Sequence, residues 1–222
     1  MTIWRWAAVA ALLTITVAFA FAAIPGIGAC GATGSWVAFQ KVSDVAAVNA
    51  MIRPDCAEAF VPALRQSMWL DSLVFIPVYA AFLALALCAL RPLPRFVWPA
   101  GIALLAIGLV ADQVEGIRLL AILDALPGTQ MMIDSANAAT FAKKICLSLV
   151  TLMIGLLLVR ERRAMRLLGA ITALGGLAVV VASLGNSFGD AGEQISQYGL
   201  LIAWLALAIV TGIKGFWPAR AG

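Results

Sequence analysis

The chain contains no histidine in its 222 residues. That excludes His-ligated haem, the histidine-containing zinc sites and Ser-His-Asp chemistry, each of which requires an imidazole. Cysteine is scarce as well: there are four, none in a Cys-x-x-Cys pair, which removes the usual thiol–disulfide oxidoreductase reading. The third shortage is charge. Only 12% of the residues are charged against 64% hydrophobic, too little polar surface for a soluble globule. Strand-period alternation is missing, which argues against a transmembrane barrel. No Walker loop or dinucleotide fingerprint occurs, and no internal repeat. No metal site and no cofactor are expected.

What the chain has in quantity is apolar runs of about 18 residues or more, each able to cross roughly 30 Å of hydrocarbon as a helix. The expected fold is an all-α, polytopic transmembrane bundle forming a single integral membrane domain. Six spans are read, over about 6–24, 67–90, 96–123, 136–159, 167–185 and 194–213. The first is longer than the 7–15-residue apolar core of a secretory signal and is read as a retained anchor. Pro77 is expected to kink the second span, and Ser135 to cap the fourth. The loop Leu184-Gly185-Asn186-Ser187-Phe188-Gly189-Asp190 superficially resembles that of the aspartyl signal peptidases. Its Asn-to-Asp spacing differs and the Arg after the Asp is missing, so no peptidase reading follows.

Bases set the orientation. Arg91-Pro92-Leu93-Pro94-Arg95 and Arg160-Glu161-Arg162-Arg163, with Arg166, form two basic turns, so both termini are placed inside. The net charge of +4 arises from these span-end bases and does not indicate nucleic acid. Residues 29–66 become an outer cap. Within it Ser35 is an N-cap candidate, and Phe39, Val42, Val45, Val48 and Met51 recur near helical period behind Trp36. They predict one amphipathic helix, either lying on the membrane interface or packed on its own bundle as a lid. Cys30 and Cys56 fall in the same outer segment. The Ala- and Arg-rich composition suggests a bacterial inner membrane facing an oxidising periplasm, where these two would form a disulfide worth roughly 3 kcal/mol by loop entropy. Cys88 and Cys146 read as apolar packing residues.

The stretch Leu109-Val110-Ala111-Asp112-Gln113-Val114-Glu115-Gly116-Ile117-Arg118 places charge inside the third span. A charge at membrane depth costs a few kcal/mol on insertion scales and is kept where it has a partner or a task. Asp112 and Glu115 share a helix face, with Arg118 a further turn along. Counted at 1.5 Å per residue, Asp112 lies roughly 21 Å from the inner end of its span. Lys144, Ser183, Gln197 and Tyr198 reach similar height on the other helices. Asn137, Thr140, Lys144, Ser148 and Thr151 form a polar stripe along the fourth span. Lys143 points about 100° away from it. Asp71 and Tyr79 share a face of the second span, but Asp71 sits beside Trp69 and is placed near the interface, as are Asp124, Asp134, Asp190 and Glu193.

These residues define a candidate ligand site: Asp112 and Glu115 as acids, Lys144 as counter-ion, Gln197 and Tyr198 as neutral groups, and Asp71 and Tyr79 beside them. Two acids against one inward-facing base leave a carboxylate in excess, which suits proton exchange or recognition of a cation. The expected function is binding, with translocation, of a proton or a small cationic or amphipathic ligand. Two alternatives stay open. One is a membrane enzyme acting on a lipid headgroup or isoprenoid, with Asp112 and Glu115 dividing acid and base roles. The other is an assembly subunit whose Gly-rich fifth span, with Gly169, Gly175 and Gly176, contacts a partner. The partners expected are membrane lipid, such a ligand, and either a second copy of the chain or another membrane subunit.

Overall fold

The computed structural model describes residues 2–31, 35–90, 96–161, 163–185 and 189–217. The turn 91–95, Arg162 and the loop residues 186–188 lie outside this set, as do the side chains of Arg163, Asp190, Glu193 and Gln197. The structure is all-helical, 83% of it helix. In chain order the helices are α1 (Ile3–Ala22), α2 (Trp36–Phe39), α3 (Val45–Met51), α4 (Ala57–Leu70), a π-helical turn (Asp71–Phe75), α5 (Ile76–Ala89), α6 (Val97–Asp124), α7 (Gln130–Leu158), α8 (Arg163–Leu184) and α9 (Gly189–Phe216). Six helical stretches among the described residues are long and apolar enough to cross a membrane, α4 to α5 counting as one of 33 residues.

Two boundaries differ from expectation, each for a local reason. The second span starts at Ala57, not 67, directly after the disulfide-bonded Cys56, so residues 57–66 belong to helix and not to the cap. Pro62 sits inside α4 at the cost of one backbone bond. The fourth span starts at Gln130 because Thr129 caps it, its hydroxyl accepting from the Met132 amide at 3.3 Å. Ser135 is not a cap: its hydroxyl donates back to the Met132 carbonyl at 2.9 Å, inside the helix.

The chain divides into two compact units. The first comprises Met1–Thr14, Val78–Leu109 and Ala142–Gly222. Here α8 approaches α7 and α9 closely, because its glycines remove the side chains that would separate the backbones. A Cβ on Gly176 would overlap the backbone at Ser148 and Leu152 of α7, and one on Gly175 would strike the Gly199 carbonyl of α9. Gly155 of α7 meets Ala173 in the same way. These α8 glycines make close contacts within the chain. At one end of this unit Arg5 Nε donates to the Gly215 carbonyl at 2.9 Å. Lys214 pairs with Glu161 at 2.7 Å and lies 4.7 Å from the centre of the Trp4 ring.

The second unit comprises Ile15–Pro77 and Val110–Phe141. Its core joins the cap to the adjoining helix ends: Phe39, Val42, Val48 and Met51 pack with Phe60, Leu64, Met68, Leu119, Ile122 and Ile133. Each such side chain withdrawn from water contributes about 1.5–3 kcal/mol. The cap's apolar residues therefore face the protein, in keeping with the lid form of the expectation. They do not form one helix. Ser35 caps α2, its hydroxyl accepting from the Ala38 amide at 3.1 Å, and α2 stops at Phe39. Asp44 is extended and starts α3 afresh, its carboxylate accepting from the Ala47 amide at 2.7 Å. Between them, Asn137 and Gln130 of α7 donate to the Val42 and Ser43 carbonyls at 3.1 and 3.0 Å. The interruption thus has its own partners.

The expected bond between Cys30 and Cys56 is formed, with their Cα atoms 5.2 Å apart. It ties the segment after α1 to the start of α4. Gly26 enters that segment with φ of 84°, and a Cβ there would strike the Ala59 carbonyl, so the turn requires glycine for both conformation and space. Phe21 of α1 stacks on Trp36 with ring centres 4.6 Å apart and meets Phe75 edge-on at 5.7 Å.

A candidate acidic site beside a π turn

Asp112 and Glu115 lie on α6 with 4% and 1% of their surface exposed. Their i, i+3 spacing holds both on the protein-facing side of the helix, as expected. Arg118, a turn further on, is exposed and does not join them. Asp71, expected at the height of the interface, is buried within the protein, 4% exposed. The reason lies in the helix that carries it. Its neighbour Trp69 is exposed, but two residues on a helix are separated by about 200°, so exposure at 69 predicts burial at 71. Three carboxyl groups are thus buried in the second unit.

The π turn begins at Asp71. Along α4 the buried positions Phe60, Leu64, Ser67 and Asp71 recur at helical spacing; after a gap of five, Ile76, Tyr79, Leu83 and Ala86 resume it. One extra residue in the turn accounts for the shift in the buried positions. Pro77 was expected to kink this span. The chain answers with a wider turn: the Ile76 amide donates to the Asp71 carbonyl, five residues back. That leaves the Ser72 carbonyl without a backbone donor. Its α-type partner, Ile76, is engaged elsewhere, and its π-type partner would be Pro77, which has no N–H. Gln113 of α6 supplies the bond, its side-chain amide donating to the Ser72 carbonyl at 2.9 Å. Gly116, on the same face of α6, leaves room for the Ser72 hydroxyl, which a Cβ there would approach to 2.9 Å.

The other expected site residues belong to the first unit. Tyr79 is buried, its ring centre 5.3 Å from that of Trp204. The Trp204 indole N–H donates to the Thr151 hydroxyl at 3.0 Å, and Thr151 donates to the Leu147 carbonyl at 2.8 Å. Lys143 and Lys144 are both half-buried, so the contrast expected between them is not seen in their exposure. Tyr198 is 54% exposed on the outward face of α9, which separates it from the buried polar groups. The side chain of Gln197 lies outside the described set. Among the acids placed at the surface, Asp124 and Asp134 are exposed, Asp124 pairing with Arg65 at 2.5 Å.

Sequence reasoning missed Gln113, Ser72 and Trp204. A signal for the first two existed: the proline at 77 must orphan a carbonyl one turn upstream, and a side-chain amide inside an apolar helix is the donor to look for. Among the described residues, no three acids or cysteines converge as a metal-binding set. No protein-family model matches the sequence, and comparison with curated proteins and with solved structures likewise returns no match.

Proposed function

We propose that this is an integral membrane protein that binds, and carries across the bilayer, a proton or a small cationic or amphipathic ligand through the carboxyl groups of Asp112 and Glu115, with Asp71 as a third. The observation that carries this reading is the burial of three carboxyl groups in one unit. A single ion pair is enough to fix which helices meet. Three acids kept at such depth exceed that need, and each adds to the cost of insertion. A buried carboxyl group can take up a proton or hold a cation, which is the chemistry this reading needs. The two basic turns in the sequence support an orientation with both termini in a bacterial cytoplasm, and the disulfide supports a periplasmic cap.

The test is native mass spectrometry of the gently purified protein, together with pH-dye measurement of proton flux in proteoliposomes. The same is done for the variant carrying Asp112→Asn and Glu115→Gln. A reproducible adduct or a flux that the variant loses supports the reading. If native protein and variant show neither, and the variant unfolds more readily, the acids serve only to hold helices together.

A further inference from the structure

We propose that Gln113 is a positioning residue: its side-chain amide selects the π register of the turn that carries Asp71 into the interior. Its purpose rests on the acidic-site reading, but its geometry and its test do not.

Pro77 imposes a choice on the helix. It removes one backbone donor, so one carbonyl a turn upstream must go without a backbone partner. In α register that carbonyl belongs to Leu73, four residues back. In the observed register the Ile76 amide has moved to Asp71, which leaves the Ser72 carbonyl without a backbone donor. Leu73 is exposed among apolar residues, where lipid offers no donor. Ser72 faces α6, and Gln113 reaches its carbonyl at 2.9 Å. The amide therefore satisfies the π register and does nothing for the α register. The registers differ by one residue, or about 100° of rotation for the residues at the turn. That rotation decides whether Asp71 is buried beside α6 or displaced from it. Gly116, three residues after Gln113, belongs to the same device, because the space it leaves is filled by the Ser72 hydroxyl.

The alternative is that Gln113 merely fills space and packing alone holds the turn. A double-mutant cycle separates the two. If Gln113 serves the carbonyl that Pro77 orphans, restoring a backbone donor with Pro77→Ala makes Gln113 dispensable. Gln113→Leu alone should raise the unfolding equilibrium constant by about three- to tenfold, the range of interhelical hydrogen bonds in membrane proteins. In the Pro77→Ala background the same change should have almost no effect. Footprinting with a water-soluble carbodiimide gives the positional readout: Asp71 should gain label in Gln113→Leu. Additive stabilities, or an Asp71 as protected in Gln113→Leu as in the native protein, would overturn the proposal. Should Gln113→Leu fail to fold, the pair decides alone: folding rescued by Pro77→Ala supports the clamp, and a pair that also fails refutes it. None of these readouts needs a ligand, so a protein that binds and transports nothing would still show the coupling.

Discussion

Truncation of Phe39 to alanine should open the cap while leaving the spanning helices in place. Phe39 ends α2, is fully buried and belongs to the cluster that includes Phe60, Leu64, Leu119, Ile122 and Ile133. Removing a buried phenylalanine costs about 3–5 kcal/mol. All of that falls on cap closure, because Phe39 packs in the closed state only. At about 1.4 kcal/mol per tenfold, the open population should rise at least about hundredfold. The Cys30–Cys56 bond does not offset this. Against a fully unfolded chain it contributes roughly 3 kcal/mol. Against local opening it contributes far less, since α1 and α4 already hold the ends of the segment, and closing a loop of roughly 27 residues inside one of roughly 35 changes the entropy by only a few tenths of a kcal/mol. Limited trypsin digestion of the detergent-solubilised protein, followed by intact mass, reads the effect. Lys41 is exposed but Val42 after it is buried, so cleavage there requires opening, and Pro54 protects the bond after Arg53. With fast opening and closing, the cleavage rate follows the open population. Cleavage after Lys41 should accelerate at least about hundredfold in Phe39→Ala, fall back toward the native rate in Phe39→Leu and vanish in Lys41→Gln. An unchanged rate in Phe39→Ala would show that packing does not hold the cap closed.

The cap should also loosen in acid. The Ala47 amide, and after it the Ser43 hydroxyl, hold the Asp44 carboxyl below its ordinary value of 3.8. A group depressed on folding contributes stability that is complete above the unfolded value and is lost as the pH falls through the folded one. Hydrogen exchange in α3, corrected for intrinsic rates, should therefore lose protection below about pH 4 in the native protein. Asp44→Asn, which keeps a capping oxygen without titrating, should show no such step; the same step in both would assign it to another group. In the first unit, Gly155→Ala forces a Cβ into the Ala173 backbone and should destabilise by about 1–3 kcal/mol. Gly212→Ala, where a Cβ meets nothing within 4 Å, should be neutral or stabilising by about 0.5–1 kcal/mol. Equal thermal midpoints for the two variants would refute the packing argument.

The spans were legible because length and hydropathy are read without knowing any contact, and the disulfide because both cysteines fell in one extramembrane segment. Boundaries were harder where one residue type serves two purposes. Thr129 and Ser135 are both plausible caps in sequence; only the direction of their hydrogen bonds tells them apart, one accepting from Met132 and the other donating to it. The cap's spacing of apolar residues likewise fitted one helix, because an extended Asp44 can bring the next apolar set back to the same core as well as a helical turn can.

The π turn was hidden for a deeper reason. In a soluble helix the gap of five between Asp71 and Ile76 would show as a slip in the apolar stripe. Here Leu73 and Val74, exposed, are as apolar as Leu83 and Leu87, buried, so the pattern of hydrophobicity carries no face information. Polar residues carry it instead, since lipid tolerates them poorly on the outside. Asp112 and Glu115 could be placed by that rule, and Asp71 would have been, had burial been weighed above its distance from the span end. Gln113 obeyed the rule and was still missed. Its partner is a backbone carbonyl freed by Pro77, and no search for complementary side chains finds that. In a chain this apolar, counting the carbonyls that each proline orphans locates polar side chains that charge pairing overlooks.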